Sequence, residues 1–264
     1  MSLLKNMERI KVSIITINYN NAVGLKKTIE SVINQTCKDF EYIVIDGGSV
    51  DDSKGIIQEY NDKISYWISE KDTGIYQAMN KGWRQASGEY CLFLNSGDYL
   101  YDENVIKNAY DLIVSSKADI IYGNLYAFDE TQNWISTFTD PISLYYFSNN
   151  FIPHPSTFTK KSLLNKLNGF YEHYSILSDW IFFVEAFLAK STFCRIDLTV
   201  SSFYMKGISS GSNVGHLERE RVFENELKVL KTDFENFERL RHFDTSILTR
   251  IARKLSSIKI KYFK

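Results

Sequence analysis

The first apolar run, Val12-Ser13-Ile14-Ile15-Thr16-Ile17, is β-rich and stops abruptly in Asn18-Tyr19-Asn20-Asn21. A polar cluster of that kind suits a turn and a helix cap. Leu25, Ile29, Val32 and Ile33 then recur at helical spacing through Gln35, so the pattern predicts a strand and a helical crossover. The cycle repeats. Phe40 to Ile45 reads as a strand running into Asp46-Gly47-Gly48-Ser49, and Asp51-Asp52-Ser53 caps a helix through Tyr60. Ile64 to Ile68 is a third strand, Glu70-Lys71-Asp72-Thr73-Gly74 a polar loop, and Ile75 to Ala86 a helix stopped by Ser87-Gly88. Tyr90 to Leu94 is a fourth strand, ending in Asn95-Ser96-Gly97-Asp98. This alternation predicts an α/β fold with a mostly parallel, Rossmann-related sheet flanked by helices and right-handed crossovers.

Beyond Asp98 the pattern changes. Val105 to Ser116 reads as a helix and Ile120 to Asn124 as a strand, while Leu125 to Phe138 alternates weakly, as a hairpin on an antiparallel edge would. Pro141 to His173 is irregular and aromatic, with Pro153-His154-Pro155 as a rigid turn. A helix is expected from Ser178-Asp179 through Leu188, a strand over Phe193 to Phe203, and a loop over Lys206 to Gly215. From His216 onward the pattern is helical and the tail is basic.

Composition narrows the choices. At 264 residues and 44% hydrophobic content the chain can bury a full core, and a net charge of -1 gives no footing for a nucleic-acid partner. Aromatic residues make up 15%, which suits a core or sugar-stacking platforms and does not separate the two. Cys37, Cys91 and Cys194 are scattered and form no CxxC pair, so neither a disulfide framework nor a zinc site is expected, and a reducing, cytoplasmic setting fits. Met1 to Arg9 has no apolar leader core, and no run approaches the ~20 apolar residues of a membrane span.

If the four strands are parallel, Thr16, Asn18, Tyr19, Asn20, Asp46, Asp72 and Asp98 come from connections at one edge of the sheet, where ligands bind in such folds. There is no G-x-G-x-x-G turn and no P-loop, so a nucleotide or phosphate would be handled by carboxylates and a divalent cation, which prefers oxygen ligands. Asn95 to Asp98 taken alone would be better explained as a turn. The other polar strand ends favour a site.

Five stretches in order carry a resemblance: Val12 to Asn20, Glu30 to Thr36, Val44 to Ser49, Gly74 to Gly82, and Ser87 to Asp98. Together they resemble the successive motifs of family 2 glycosyltransferases with the GT-A fold. The resemblance implies that Asp46 contacts the base or ribose of a nucleotide-sugar, with Gly47 where a second Asp often stands. It implies that the D-x-D type motif falls on Asn95 to Asp98, with Asp98 the metal ligand and Asn95, Ser96 and Gly97 beside the nucleotide. The implied cofactor is manganese or magnesium, held more weakly because Asn95 and Gly97 replace carboxylates. Asp72 and Met79-Asn80 fall at nucleotide contacts, although Met79 replaces the usual Arg and Asp72 reads equally well as a helix N-cap. The family's catalytic base falls on Asp179, in Ser178-Asp179-Trp180, where a helix N-terminus would favour the ionised form. An N-cap role there is compatible with catalysis. Glu172 and Glu185 are less well placed.

His154, Lys206 and His216 are candidate phosphate or acceptor contacts, set against a hydrogen-bonded structural histidine and a solvated lysine as the ordinary explanations. Ile247, Leu248, Ile251, Leu255 and Ile258 share a helical face among Arg250, Arg253, Lys254, Lys259, Lys261 and Lys264. That face suits either an anionic membrane surface or packing on the domain. The expected organisation is a nucleotide-sugar-binding half (10–124), an antiparallel acceptor-binding half of the same domain (125–215) and a C-terminal helical extension with the basic tail (216–264). The expected function is inverting transfer from a nucleoside diphosphate sugar to a glycan or lipid-linked acceptor in surface polysaccharide biosynthesis, at the inner face of the membrane. The alternatives are a non-catalytic glycan- or nucleotide-binding module and a sugar-phosphate nucleotidyltransferase. The latter needs a glycine-rich, basic loop after the first strand, which Asn18 to Gly24 lacks.

Overall fold

The computed structural model describes residues 12–139, 141–205 and 214–245. The first half follows the alternation: β1 (Val12–Asn18), α1 (Ala22–Ile33), β2 (Phe40–Asp46), α2 (Ser53–Glu59), β3 (Tyr66–Ser69), α3 (Ile75–Gln85) and β4 (Tyr90–Asn95). After it come β5 (Tyr99–Leu100), α4 (Val105–Ser116), β6 (Ile120–Phe128) and β7 (Asn133–Ser136). The remainder is α5 (Leu144–Asn149), β8 (Thr157–Lys160), α6 (Lys161–Lys166), α7 (Ser178–Leu188), β9 (Phe193–Tyr204), α8 (Val214–Glu224) and α9 (Lys231–Thr245).

One sheet runs β3-β2-β1-β4-β8-β6-β9-β5, with β7 paired to β6. The long ladders, β1 with β2 and β4 and β6 with β9, are parallel, and the antiparallel ones are short. Both faces are covered, which is why β1 is buried along its whole length. Ile15, Ile17, Ile43, Ile45, Cys91 and Phe93 face a core shared with α3, α5 and α7. Val12, Ile14, Tyr42, Val44, Leu92 and Leu94 face a second core with α1, α2 and α4. The alternation of side chains along each strand sorts them into these two layers.

Register decides which residues meet at the strand ends. Asn18 pairs with Asp46, Asp46 with Ser69, and Ile17 with Asn95, so three connections open side by side. Helix α3 lies close on this sheet because Gly82 has no side chain. A Cβ there would come within 2.4 Å of Ile15 Cγ2.

Pro141 to His173 is not irregular. It holds α5, a 3-10 turn at His154–Ser156, β8 and α6. Strand β8 is antiparallel and sits between β4 and β6, so the antiparallel part is inserted within the sheet rather than confined to an edge. Its four residues are too few to display a period, and three of them are buried. Helices α8 and α9 and the connection between them join the first core through Val222, Phe223, Leu227, Leu230 and Phe234. Phe223 and Phe234 pack edge-on against Trp180 of α7. Among the described residues no helix is long and apolar enough to cross a membrane. The expectations for Lys206, the N-terminal leader and the basic tail after Thr245 lie outside the described residues.

Candidate active site at the strand ends

Asp46 closes β2 and is completely buried. Its Oδ1 accepts from Asn18 Nδ2 (2.7 Å) and Ser49 Oγ (2.5 Å), and its Oδ2 from the Ser49 amide (3.0 Å) and Ser69 Oγ (2.7 Å). Burial pushes the carboxyl up, but these hydrogen bonds from Ser49, Ser69 and Asn18 outweigh it and hold the pKa below the usual value. The result is a fixed anion at the sheet edge.

Asp72 stands directly over Gly47. A Cβ at Gly47 would lie 2.6 Å from Asp72 Oδ2, so the glycine where a second carboxylate was anticipated is what admits Asp72. Burial raises the Asp72 pKa more than the Gly74 amide lowers it, and the charges of Asp46 and Glu70 add to the rise. Asp72 Oδ1 accepts from that amide at 3.1 Å, a local turn contact, while the N-cap position of α3 is Gly74 itself.

On the β1 side, Asn20 has φ 49°. Its amide donates to Ser49 Oγ (2.7 Å), and its Oδ1 accepts from the Val50 amide (2.8 Å). Tyr19 is exposed beside it. Asn21 caps α1 and its Nδ2 donates to Ser96 O at 2.9 Å, tying this turn to the one after β4. Two expectations need correction. Thr16 is fully buried with its hydroxyl 3.0 Å from Tyr42 Oη, on the second-core face rather than at the edge. Met79 and Asn80 are buried as well. Asn80 spends all its capacity on Phe170 N and O, Glu172 Oε1 and Trp83 Nε1, so it braces α3 against the later chain.

After β4 the chain turns tightly: the Asp98 amide donates to Asn95 O (2.9 Å), and Gly97 takes φ 106°. Thr28 of α1 locks the turn by donating to Asp98 O (2.6 Å) and accepting from the Gly97 amide (3.0 Å). Burial pushes the Asp98 carboxyl up to about 7, although the His154 ring and the Tyr204 and Asn95 backbone pull the other way. Asp98 Oδ2 and Asn95 Oδ1 are both buried without a partner. Oxygens left in this way cost free energy unless something binds them.

Asp179 lies in the first turn of α7. It is not the N-cap, which is Leu177. Its Oδ1 accepts from the Trp180 amide (2.8 Å) and lies 3.0 Å from Tyr76 Oη, and its Oδ2 lies 2.8 Å from His154 Nδ1. Burial works against a charged imidazole, but the Asp179 hydrogen bond and the charges of Asp179 and Asp98 raise the His154 pKa above the usual value. The Tyr76 phenol is pushed well up by burial and by Asp179. Tyr76 was not singled out from the sequence, and Glu172, the less well placed candidate base, is turned to α3. Glu172 accepts from Gln77 Nε2 (3.0 Å) and Asn80 Nδ2 (2.9 Å) and lies 3.8 Å from Arg84 Nη1. A cleft of ≈ 720 Å³ opens between Thr73–Gln77 and Glu172–Ser175. Glu185 is turned instead to Tyr171, whose hydroxyl donates to it at 2.8 Å. His216 is exposed on α8, and among the described residues no hydrogen bond or ion pair joins it to this site.

A mostly parallel sheet with anionic and polar residues at adjacent strand ends, a tight turn bearing a buried carboxylate, and a second carboxylate joined to that turn through His154 define the GT-A class of glycosyltransferase. Residues 13–179 match the family model for glycosyl transferase family 2, and the chain belongs to that family. A glycosyltransferase of Mycobacterium tuberculosis (strain CDC 1551 / Oshkosh), described as uncharacterized, is 33% identical over 203 residues, 71% of this chain and 75% of the relative. The fold is similar to that of S. aureus TarS 1-349 in complex with UDP, with a TM-score of 0.64 at 21% identity, covering 74% of this chain and 60% of that one. It is also similar to the mannosyltransferase PcManGT from Pyrobaculum calidifontis in complex with GDP-Man and Mn2+, with a TM-score of 0.60 at 13% identity, covering 97% and 82%.

Proposed function

We propose that this glycosyltransferase moves a sugar, with inversion, from a nucleoside diphosphate donor to a hydroxyl of a glycan or lipid-linked acceptor. The carrying observation is that Asp179, whose two oxygens are held by Trp180, Tyr76 and His154, shares the His154 ring electrostatically with the buried Asp98 of the turn after β4. Asp46, with Asn18 and Ser49 around it, would receive the nucleoside, and Asp72, Asn95, Ser96 and Gly97 would flank it. The acceptor hydroxyl would enter from the Thr73–Ser175 side. Its oxygen bonds to the anomeric carbon as the bond from that carbon to the diphosphate oxygen breaks. The electron pair leaves with the nucleoside diphosphate, and the proton passes to Asp179. In-line attack opposite the leaving group inverts the centre.

A divalent cation fits the turn after β4. Asp98 Oδ2 and Asn95 Oδ1 are buried acceptors without partners, the donor set a hard cation prefers. Among the described residues no three His, Cys, Asp or Glu side chains gather as a metal cage, so the diphosphate would complete the coordination. Manganese or magnesium bound there would neutralise the charge that develops on the leaving diphosphate. A role in surface polysaccharide assembly at the inner membrane face belongs to the same proposal. The test is calorimetry with UDP and GDP, with manganese and with chelator, followed by nucleotide release from the matching sugars. Manganese-dependent nucleotide binding, with release abolished in Asp179→Asn, is expected. Absence of binding to either nucleotide, or full turnover in that variant, would remove the reading.

A further inference from the structure

We infer that Glu218, on helix α8 beyond the family match, is a positioning residue for Asp179; this rests on Asp179 being the base. Glu218 is 5% exposed and more than forty residues downstream of the segment it holds. Its carboxylate accepts three successive backbone amides, Ser175 (2.5 Å), Ile176 (2.9 Å) and Leu177 (3.2 Å). These are the amides that lead into α7. The α7 N-cap, Leu177, has no side-chain cap of its own, and Glu218 from a remote helix accepts its amide together with the two amides before it, fixing the chain as it enters the helix. An anion at this end of a helix is favoured by the helix dipole, and charge-assisted amide contacts offset the cost of burying it.

The same segment reaches the base by two routes. Asp179 begins two residues after Leu177, so the entry angle of α7 sets its carboxylate. The Tyr76 hydroxyl lies 2.5 Å from Ile176 O and 3.0 Å from Asp179 Oδ1, so a shift in residue 176 moves a partner of the base. A second anchor from the same part of the chain is Glu226, which accepts from the Tyr174 hydroxyl and lies 3.2 Å from His173 Nε2. Residues 173–175 form one wall of the cleft, so the two glutamates hold both the wall and the helix that carries the base. The C-terminal segment thereby contributes to the reaction geometry from beyond the family match.

Glu218→Gln would replace one acceptor oxygen with an amide that faces other amides, releasing part of the segment. The test compares Glu218→Gln, Glu226→Gln and Asp179→Asn in the full chain, measuring UDP and GDP binding with manganese by calorimetry, and kcat and donor KM by nucleotide release. A misplacement on the order of 1 Å costs roughly 10²-fold in rate, so Glu218→Gln should lose roughly 10²-fold in kcat, with nucleotide affinity and donor KM kept within about twofold. Glu226→Gln, which loosens only the wall, should show the same split with a loss of roughly tenfold. Wild-type kcat in Glu218→Gln alongside an inactive Asp179→Asn would overturn the positioning role and leave the base assignment standing. Full activity in Asp179→Asn would overturn the base assignment and this inference with it. Parallel loss of nucleotide binding and kcat in both glutamate variants would mark the contacts as purely structural and overturn the inference.

Discussion

His154 Nδ1 lies 2.8 Å from Asp179 Oδ2, joining the 3-10 turn after α5 to the first turn of α7 across 25 residues of sequence. Pro153 and Pro155 flank the histidine and restrict the backbone around it, so the ring is delivered by a stiff support. Its Nε2 is buried without a partner. The imidazole therefore holds Asp179 through Nδ1, and its Nε2 is the atom that a phosphate or acceptor hydroxyl would satisfy.

His154→Ala should lower kcat by roughly 10- to 10²-fold with donor affinity unchanged, because a hydrogen bond to a charged group contributes about 1.5–3 kcal/mol. Steady-state kinetics with calorimetry on the same protein decides it. A rise in donor KM with kcat intact would instead place the ring at the phosphates.

Gly82→Ala should destabilise the fold by about 1–3 kcal/mol, the usual cost of forcing a methyl group into a packed core. The added Cβ would meet Ile15 Cγ2 at 2.4 Å, on the central strand. This exceeds the ~1 kcal/mol that alanine gains over glycine in a helix. Urea unfolding gives the answer, and an unchanged midpoint would mean that α3 can retreat from the sheet freely.

Burial raises the Glu185 pKa above 4.5 more than the Tyr171 hydroxyl lowers it, and Glu226 adds to the rise. The folded protein then keeps a proton that the unfolded chain releases. The stabilising contribution of this group is complete below about 4.5 and is lost as pH rises through the folded value. Glu185→Gln, which imitates the protonated form, should melt above the wild type at pH 8, with the difference closing toward pH 4. Thermal melts across that range measure it, and a constant difference would point to packing instead of ionisation.

Much of the first half was legible because strands buried on both faces leave apolar runs, and surface helices between them leave a 3.6-residue stripe. The strand ends carrying Asn18, Asp46 and Asp98 follow from that alternation. Thr16 did not follow, because side-chain direction alternates every residue and only the register with β2 sends its hydroxyl to Tyr42. Nor did Asn80, since a polar residue in a helix looks the same in sequence whether it meets a ligand or the backbone of Phe170.

What the sequence determined by itself was local and periodic: the α/β alternation, the polar strand ends and the helix bearing Asp179. Tertiary structure alone decided that β8 would enter the middle of the sheet, that Gly47 would make room for Asp72, and that His154 and Tyr76 would converge on Asp179. It also decided that Glu218 would close the amides ahead of α7. Hydrogen-bonded contacts between residues 25 to 103 positions apart leave no period in a chain. They exist only once packing has brought a buried carboxylate and its donors to the same place.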